Sequence, residues 1–435
     1  MTAPLSILRA PLGVFGAAAL WAASAGTCMG AQETVGDTAP GLALRAAKVL
    51  VCSSDGEQTV VDHGTVLSRD GRIEAVLPRG TEVPEGYELE DLGDSWLMPG
   101  MIDLHSHIAG RGYNDAVYQA NPGLRVKCTV VPGNANLRRA LAGGVTTILY
   151  IPGSATNLGG EGILLKTAPT SYEDMVVRDP GSLKVAQADN PKRWGYGMNR
   201  IMLNWTVREA FTRGVAYAQT WAAYEAGDWG KEEPAPEVNP QFEIFRALYS
   251  GEAQISTHTQ VHQVVLASMN IMKGEFGLDV FIDHGTFDGY KATDRALELD
   301  VAAILGPRSI NMQTKGRGID TDGAIMGVAA EYQRRGMTDI GFNTDAPVVP
   351  AEELALQGAM GARFGFRDDR AEVVRGLTIV PAEVAGIDHR VGSLEAGKDA
   401  DIVVLDGHPA DPRSAVTRVY VNGELSYDAR EERLF

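Results

Sequence analysis

The sequence has 435 residues, of which 44% are hydrophobic, and a formal net charge of -17 from 56 acidic and 39 basic residues. This composition supports a large folded core and excludes an intrinsically disordered chain, a collagen-like chain and a small disulfide-stabilised scaffold. Nucleic acids and anionic membrane surfaces are disfavoured as partners because both attract basic proteins. We therefore expect a small-molecule or dipeptide substrate, and a homo-oligomer stays open.

The first residues have the pattern of an export signal. Residues 12–25 form the apolar run LGVFGAAALWAASA, and Arg9 is the only charged residue before Glu33. A membrane span needs about 20 apolar residues, so this run is too short to cross a bilayer but suits the core of a signal peptide. We predict a signal peptide over residues 1–31 and export to the periplasm. The alternative is a buried, alanine-rich helix.

Short strand patterns occur near both ends of the remaining chain. Asp70-Gly71 and Asn422-Gly423 each separate two apolar runs, which is the signature of a tight β-hairpin turn. We predict that residues 32–98 and 379–435 together form one small β-sandwich domain. The predicted strands cover residues 47–52, 64–67, 72–77, 400–405, 418–421 and 424–427.

Between these segments, residues 99–378 alternate strand-like and helix-like patterns. Such alternation is typical of a parallel sheet covered by helices, so the predicted fold class is α/β with a (β/α)8 TIM-like barrel. The predicted strands cover residues 101–107, 145–151, 162–167, 254–258, 280–284, 302–305 and 339–344. The predicted helices include residues 134–142, 207–226 and 324–335.

Metal-capable side chains stand at the ends of several predicted strands. His105 and His107 lie two residues apart, so their side chains point to the same side of a strand. His258, His284 and Asp345 each end another predicted strand. One His-x-His pair alone is a weak signal, but the carboxyl ends of barrel strands meet at one mouth. The five residues together therefore indicate a metal centre.

Two longer segments, PGMIDLHSH and RGLTIVPAEVAGIDHRVGSLEAGKDADIVVLDGHP, resemble known motifs. The first is similar to the first-strand motif of the amidohydrolase superfamily, and the second to its C-terminal return into the β domain. Within that superfamily the chain resembles the imidazolonepropionase- and prolidase-related branch of bacterial metal-dependent hydrolases. His258, His284 and Asp345 match the fifth-, sixth- and eighth-strand ligands in order and type. The resemblance implies a metal centre that activates water against an amide-type carbon.

The chemistry of these side chains suits one or two divalent ions. Neutral imidazoles and carboxylates bind Zn²⁺, Mn²⁺, Fe²⁺ or Co²⁺, with zinc as the first expectation. Asp345 can both ligate an ion and accept a proton from water as a general base. The resemblance implies that His284 holds the substrate or a second ion. The alternative for Asp345 is a strand-end residue that only caps the next loop.

Many members of the family bridge two ions with a lysine carboxylated by CO₂. Lys166 ends a predicted strand and is our first candidate for this bridging ligand. It lies on the third predicted strand, however, whereas the family usually places this lysine on the fourth. Lys184 is the next candidate, and Glu161 or Asp189 are alternatives that could bridge directly as carboxylates.

The sequence therefore predicts a metal-dependent amidohydrolase that cleaves a carbon–nitrogen bond in a dipeptide or a cyclic amide. Arg308, Lys315 and Arg317, in a predicted loop after the seventh strand, are candidates for binding a substrate carboxylate. One alternative is a deaminase of the same superfamily that uses a single ion. Another is a periplasmic binding protein that has kept the barrel and lost turnover.

Overall fold

The computed structural model describes residues 40–55, 60–115, 118–193, 199–230, 233–307, 310–311 and 326–434. The predicted signal peptide lies outside these residues, as do Arg308, Lys315 and Arg317. Within the described part, every helix is too short or too polar to span a bilayer.

The N-terminal part of the described chain is built of short strands. The strands are β1 (Gly41–Arg45), β2 (Lys48–Leu50), β3 (Val60–Asp62), β4 (Thr65–Arg69), β5 (Arg72–Leu77), β6 (Tyr87–Asp91) and β7 (Trp96–Pro99). The Asp70-Gly71 turn has φ angles of 49° and 77°, which confirms the predicted hairpin between antiparallel β4 and β5.

The central part of the described chain is built of ten strands. The central strands are β8 (Met101–Ser106), β9 (Val145–Tyr150), β10 (Leu158–Lys166), β11 (Val176–Ala186), β12 (Gln254–His258), β13 (Val280–His284), β14 (Ala303–Leu305), β15 (Ile310–Asn311), β16 (Met326–Gly327) and β17 (Ile340–Phe342). Eight of them form one sheet in the order β17-β14-β13-β12-β11-β10-β9-β8. Ser106 forms a parallel bridge with Ala346, and the His107 backbone N donates to Ala346 O at 2.8 Å, so the two edges nearly close into a barrel. β15 and β16 pair only with each other in a separate two-stranded sheet.

The barrel departs from an all-parallel arrangement at one strand. β10 pairs antiparallel with both β9 and β11, while β11, β12, β13, β14 and β17 run parallel to their neighbours in turn. The chain therefore reverses twice between β9 and β11. The TIM-like architecture is confirmed, but one strand of the predicted parallel set runs the opposite way.

Helices surround this sheet, as the alternating pattern predicts. Asn134 caps the first helix, because its side chain accepts hydrogen bonds from the backbone N–H groups of Asn136 and Leu137. The helices are α1 (Ala135–Ala142), α2 (Tyr172–Met175), α3 (Arg200–Glu225), α4 (Ile244–Ser250), α5 (His262–Met269), α6 (Thr293–Glu298), α7 (Val328–Arg334), α8 (Leu354–Arg363), α9 (Glu372–Leu377) and α10 (Ile379–Val384).

The last strands return to the first ones. β18 (Ile402–Leu405), β19 (Val416–Val421) and β20 (Glu424–Asp428) join a six-stranded sheet in the order β20-β19-β18-β7-β2-β3. β18 pairs antiparallel with β7, so both ends of the described chain contribute to one β domain, as predicted. The exact boundaries at residues 98/99 and 378/379 stay predictions.

Candidate metal centre

Four predicted ligands converge at one end of the barrel. One ligand atom each from His105, His258, His284 and Asp345 lies within 4.8 Å of the other three. His107 joins them, because its Nε2 lies 3.4 Å from Asp345 Oδ1. All five residues stand at or just after the carboxyl ends of strands that run parallel in the barrel, which brings residues distant in the sequence to one mouth.

Hydrogen bonds on the outer side fix three of the imidazole rings. His107 Nδ1 donates to Ile151 O and His284 Nδ1 donates to Gly306 O, both at 2.8 Å. His105 Nδ1 donates to the carboxylate of Asp283 at 2.6 Å. Carbonyl and carboxylate oxygens only accept hydrogen bonds, so each Nδ1 carries the proton and the Nε2 atom is left to ligate.

The inner side of the cluster favours a cation. The lone pair of His107 Nε2 faces Asp345 Oδ1 at 3.4 Å, so two acceptors oppose each other there. His105 Nε2 lies 3.3 Å from the same oxygen. Burial lowers the pKa of His105, but the carboxylates of Asp283 and Asp345 raise it by a larger amount, so the net shift is upward. Positive charge is therefore favoured between His105 Nε2 and Asp345, and the donor set suits a divalent ion.

The other three imidazoles of the cluster are neutral near pH 7. Burial lowers the pKa of His107, and it lowers that of His258 far below the ordinary range. Burial, followed by the charge of His105, lowers the pKa of His284 to about 4. His258 Nδ1 and His284 Nε2 lie 2.7 Å apart. Because metal ions bind the deprotonated nitrogen, these shifts keep the rings ready to ligate without releasing a proton.

Asp345 is ionised at neutral pH. Burial raises the pKa of this carboxyl group, but the charge of His105 and the contacts with His105 and His107 hold it well below the ordinary range. Asp345 and His284 also have left-handed backbone, with φ angles of 51° and 68°. Such angles are uncommon outside glycine and cluster at functional sites, where the surrounding structure holds the strained residue in place.

The prediction that Lys166 reaches this centre is wrong. Its Nζ lies 3.0 Å from Asp399 and also pairs with Asp401, in the return segment. The cause is the reversed direction of β10, which pairs Lys166 with Thr147 near the start of β9. The carboxyl end of an antiparallel strand lies at the opposite end of the barrel from the carboxyl ends of its parallel neighbours.

Lys184, the second candidate, is the lysine that reaches the centre. Its Nζ lies 3.0 Å from His105 Nε2, and the side chain is fully buried. β11 runs parallel to β12 and pairs Lys184 with Ser256, two residues before His258. Burial lowers the pKa of Lys184 to about 8, although Asp283 and Asp345 raise it, so part of the amine is neutral at neutral pH.

Neither alternative carboxylate lies in the cluster. Glu161 is bound to Arg125 at 3.1 Å, and burial raises its pKa to about 7. Its neighbour Gly160 is the residue that pairs with Lys184, so the alternation of side chains along β10 directs Glu161 to the other face of the sheet. Asp189 is bound to Lys192 at 2.7 Å.

Two buried carboxylates that the sequence does not predict form hydrogen bonds with the candidate ligand His105. Asp283 accepts from His105 Nδ1 and from Asn343 Nδ2, the latter at 3.0 Å. Asp103 accepts from the His105 backbone N at 3.1 Å and from the Thr344 hydroxyl, and burial raises its pKa to about 6. Asp103 precedes His105 by two residues on the same strand face and Asp283 directly precedes His284, but this spacing does not show which ligand each carboxylate contacts.

Comparisons with known proteins agree with this geometry. Residues 318–427 match the Amidohydrolase family. The chain is 27% identical over 412 residues to amidohydrolase tasK of Hapsidospora irregularis, a match that covers 85% of this chain but only 40% of that protein. It is 24% identical to an imidazolonepropionase of Methylobacterium sp. (strain 4-46), over 86% of this chain and 91% of that protein.

A solved structure of an amidohydrolase is similar to this chain over most of the fold. The amidohydrolase from Thermotoga maritima MSB8 aligns with a TM-score of 0.77 and 29% sequence identity. The alignment covers 89% of this chain and 100% of the other.

Proposed function

We infer that this protein, which is similar to members of the amidohydrolase superfamily, hydrolyses a carbon–nitrogen bond of a small molecule with the help of bound divalent metal. The observation that carries this inference is the convergence of His105, His258, His284 and Asp345 within 4.8 Å at the barrel mouth. The relatives named amidohydrolase and imidazolonepropionase support the same chemistry.

His105, His107, His258, His284 and Asp345 would hold the metal. A bound divalent ion polarises a carbonyl oxygen and lowers the pKa of water from 15.7 to about 7, which makes hydroxide available at neutral pH. Zinc is our first expectation, and manganese, iron and cobalt are alternatives that the same ligands accept.

Asp345 acts as the general base in this proposal. Its carboxylate is ionised, so it can accept a proton from the attacking water. Asp345 Oδ1 lies next to His105 and His107, so that proton stays beside the candidate ligands. The proton can then pass to the leaving nitrogen, because an amine leaves far more readily once protonated. His284 Nε2 lies 3.8 Å from Asp345 Oδ2, and its lone pair would be available to a second ion or to a hydrogen-bond donor of the substrate.

Lys184 replaces Lys166 as the proposed bridging ligand. A neutral lysine amine adds CO₂ and releases one proton, which converts the neutral amine into an anionic carbamate with two ligand oxygens. Lys184 is suited to this reaction because it is buried beside His105. A bridging Lys184 supports two ions, whereas an unmodified Lys184 supports one.

The substrate is a small amide, either a dipeptide or a cyclic amide. We also propose that the protein is exported to the periplasm, on the basis of the apolar run at residues 12–25. A single-metal deaminase is the alternative reaction, and it differs by releasing ammonia without cleaving the substrate into two organic products.

Metal analysis combined with an activity screen tests the proposed function. Purified protein should carry one to two divalent ions per chain and should hydrolyse members of a panel of dipeptides, cyclic amides and linear amides. The double variant His105→Ala/His107→Ala should lose both the metal and the activity, while circular dichroism shows the fold retained. Metal-loaded protein without activity on any panel member would instead support the inactive binding protein.

Asp345→Asn separates catalysis from folding. The amide keeps the size of the side chain but removes its charge and basic oxygen, so turnover should fall at least about 100-fold with the fold intact. A rate close to that of the unmodified protein would remove Asp345 from the mechanism.

A further inference from the structure

Asp103 is a buried carboxylate without a lysine or arginine partner. The residue lies on β8 and is fully buried, and among the described residues no lysine or arginine forms an ion pair with it. Removing a carboxylate from water without pairing it with a cation is costly, so an apolar side chain would suit this position better. Proteins keep such costly groups mainly at functional sites.

The carboxylate of Asp103 links the first and last strands of the barrel. Its Oδ1 accepts from the backbone N of His105 at 3.1 Å. Its Oδ2 accepts from the hydroxyl of Thr344, which lies two residues after the end of β17. One side chain therefore binds both a candidate ligand on β8 and the residue that precedes Asp345.

Thr344 in turn holds the backbone around Asp345. Its hydroxyl accepts from the backbone N of Ala346 at 3.1 Å, which closes a turn over Asp345. Asp345 has a φ angle of 51° in this turn, a left-handed conformation that aspartate keeps only where its surroundings hold it. The hydrogen bond from Thr344 to Asp103 anchors this turn to β8.

We propose that Asp103 is a positioning residue for Asp345, a conclusion that rests on the proposed hydrolase function. Asp103 acts through Thr344, which holds the turn that contains Asp345. This keeps Asp345 Oδ1 at 3.3 Å from His105 Nε2 and 3.4 Å from His107 Nε2. Precise placement matters here, because a shift of about 1 Å can lower a rate about 100-fold.

The test removes the hydroxyl of Thr344 and measures zinc affinity and turnover. Thr344→Val keeps the shape of the side chain but leaves Asp103 Oδ2 without its donor, whereas Thr344→Ser keeps the hydroxyl. Stripped protein is titrated with Zn²⁺ against a chromogenic chelator, and hydrolysis of the best amide of the panel is measured at saturating zinc. Thr344→Val should bind Zn²⁺ at least about tenfold more weakly and lose at least about tenfold in kcat at similar KM. Thr344→Ser should stay within about threefold in both quantities.

Thr167→Val is the matched control. Thr167 is also buried, and its hydroxyl donates to Val145 O at 2.8 Å, at the other end of the barrel. Both valine variants should lower Tm, because each leaves a buried acceptor unpaired, but Thr167→Val should keep its zinc affinity and kcat. Equal zinc affinity in the two variants would give Thr344 a structural role only and would overturn the proposal.

Asp103→Leu tests the other partner of the same hydrogen bond. Leucine keeps the branched shape and removes both acceptor oxygens, so this variant should also bind Zn²⁺ at least about tenfold more weakly. It decides the question if Thr344→Val does not fold. The double variant should lose about as much as the weaker-binding single variant, because both changes break one link. Losses that multiply would overturn the action of Asp103 through Thr344.

The remaining outcomes separate this proposal from the proposed function. An unchanged zinc affinity or an unchanged kcat in folded Thr344→Val overturns the positioning role and leaves the hydrolase standing. If metal-loaded protein hydrolyses no amide of the panel, the proposed function fails, and zinc affinity alone then decides on the positioning role. Weaker zinc binding in Thr344→Val that Thr344→Ser restores supports it, and equal binding in all variants overturns it.

Discussion

Individual hydrogen bonds prepare the imidazoles for a metal ion. Asp283 is fully buried and accepts a hydrogen bond from His105 Nδ1 at 2.6 Å. It also accepts a hydrogen bond from Asn343 Nδ2. An anionic partner on the outer nitrogen makes the inner nitrogen a stronger ligand and keeps the ring in one orientation. Asp283 is thus a positioning residue for His105.

Asp283→Ala should weaken metal binding about 10- to 100-fold, because His105 loses the partner that orients it. The measurement is a competition titration of stripped protein against a chromogenic chelator. Asp279→Ala is the control, since Asp279 is an exposed residue just before the same strand and pairs only with Lys273 in the described structure. Equal metal affinity in both variants would mean that Asp283 has no role in positioning.

The convergence of the candidate ligands could be predicted from the sequence, whereas the contacts that support them could not. His258, His284 and Asp345 end strands whose apolar pattern is local, so strand ends can be recognised from the sequence. The contact between Asp283 and His105 depends on how two strands distant in the sequence are placed in the barrel. No local pattern records that placement.

At the scale of elements, the direction of one strand decides which lysine reaches the metal centre. An apolar run predicts a buried strand but does not show whether that strand runs parallel or antiparallel to its neighbours. The sequence therefore predicts Lys166 at the mouth of the barrel, whereas it lies at the opposite end. The sequence does not predict β11, because Asp179-Pro180-Gly181 is typical of a turn although it lies inside that strand. Lys184, which β11 carries, therefore lies outside every predicted strand.

Lys166→Met should destabilise the protein by about 3 kcal/mol, because it leaves the buried carboxylates of Asp399 and Asp401 without their lysine. Its metal content should equal that of the unmodified protein. Lys184→Met should show the opposite pattern, with the second ion lost and stability largely kept. Chemical denaturation and elemental analysis of the two variants check this prediction, and loss of metal from folded Lys166→Met would contradict it.

At the scale of the whole molecule, charged contacts join segments from the two ends of the described chain. Glu395, in the C-terminal return, accepts from the backbone N and the hydroxyl of Ser54, both at 3.2 Å. Burial raises the pKa of Glu395, but hydrogen bonds from Ser393 and Lys398 lower it by a larger amount, and the resulting pKa is about 2. The folded state therefore favours the ionised carboxylate.

Glu395→Gln should lower the free energy of unfolding at pH 7 by about 1 kcal/mol, a value reduced for partial exposure to solvent. Because the pKa is lower in the folded state, this contribution is complete above about pH 4.5 and is lost as the pH falls toward 2. Urea denaturation between pH 7 and pH 3 should show the difference between the two proteins shrinking. Glu424→Gln, at an exposed position of β20, is the control. A difference that grows on acidification would contradict the assignment.

Metal dependence at the barrel mouth is tested most directly by reconstitution. Chelator-stripped protein is titrated with Zn²⁺ while bound metal and amide hydrolysis are followed in the same samples. Hydrolysis should be absent at the start, rise in proportion to bound metal and level off at one or two ions per chain, because the ligands around His105, His258, His284 and Asp345 form one centre. Full activity in the stripped protein, or activity that does not follow bound metal, would contradict a metal-dependent hydrolase.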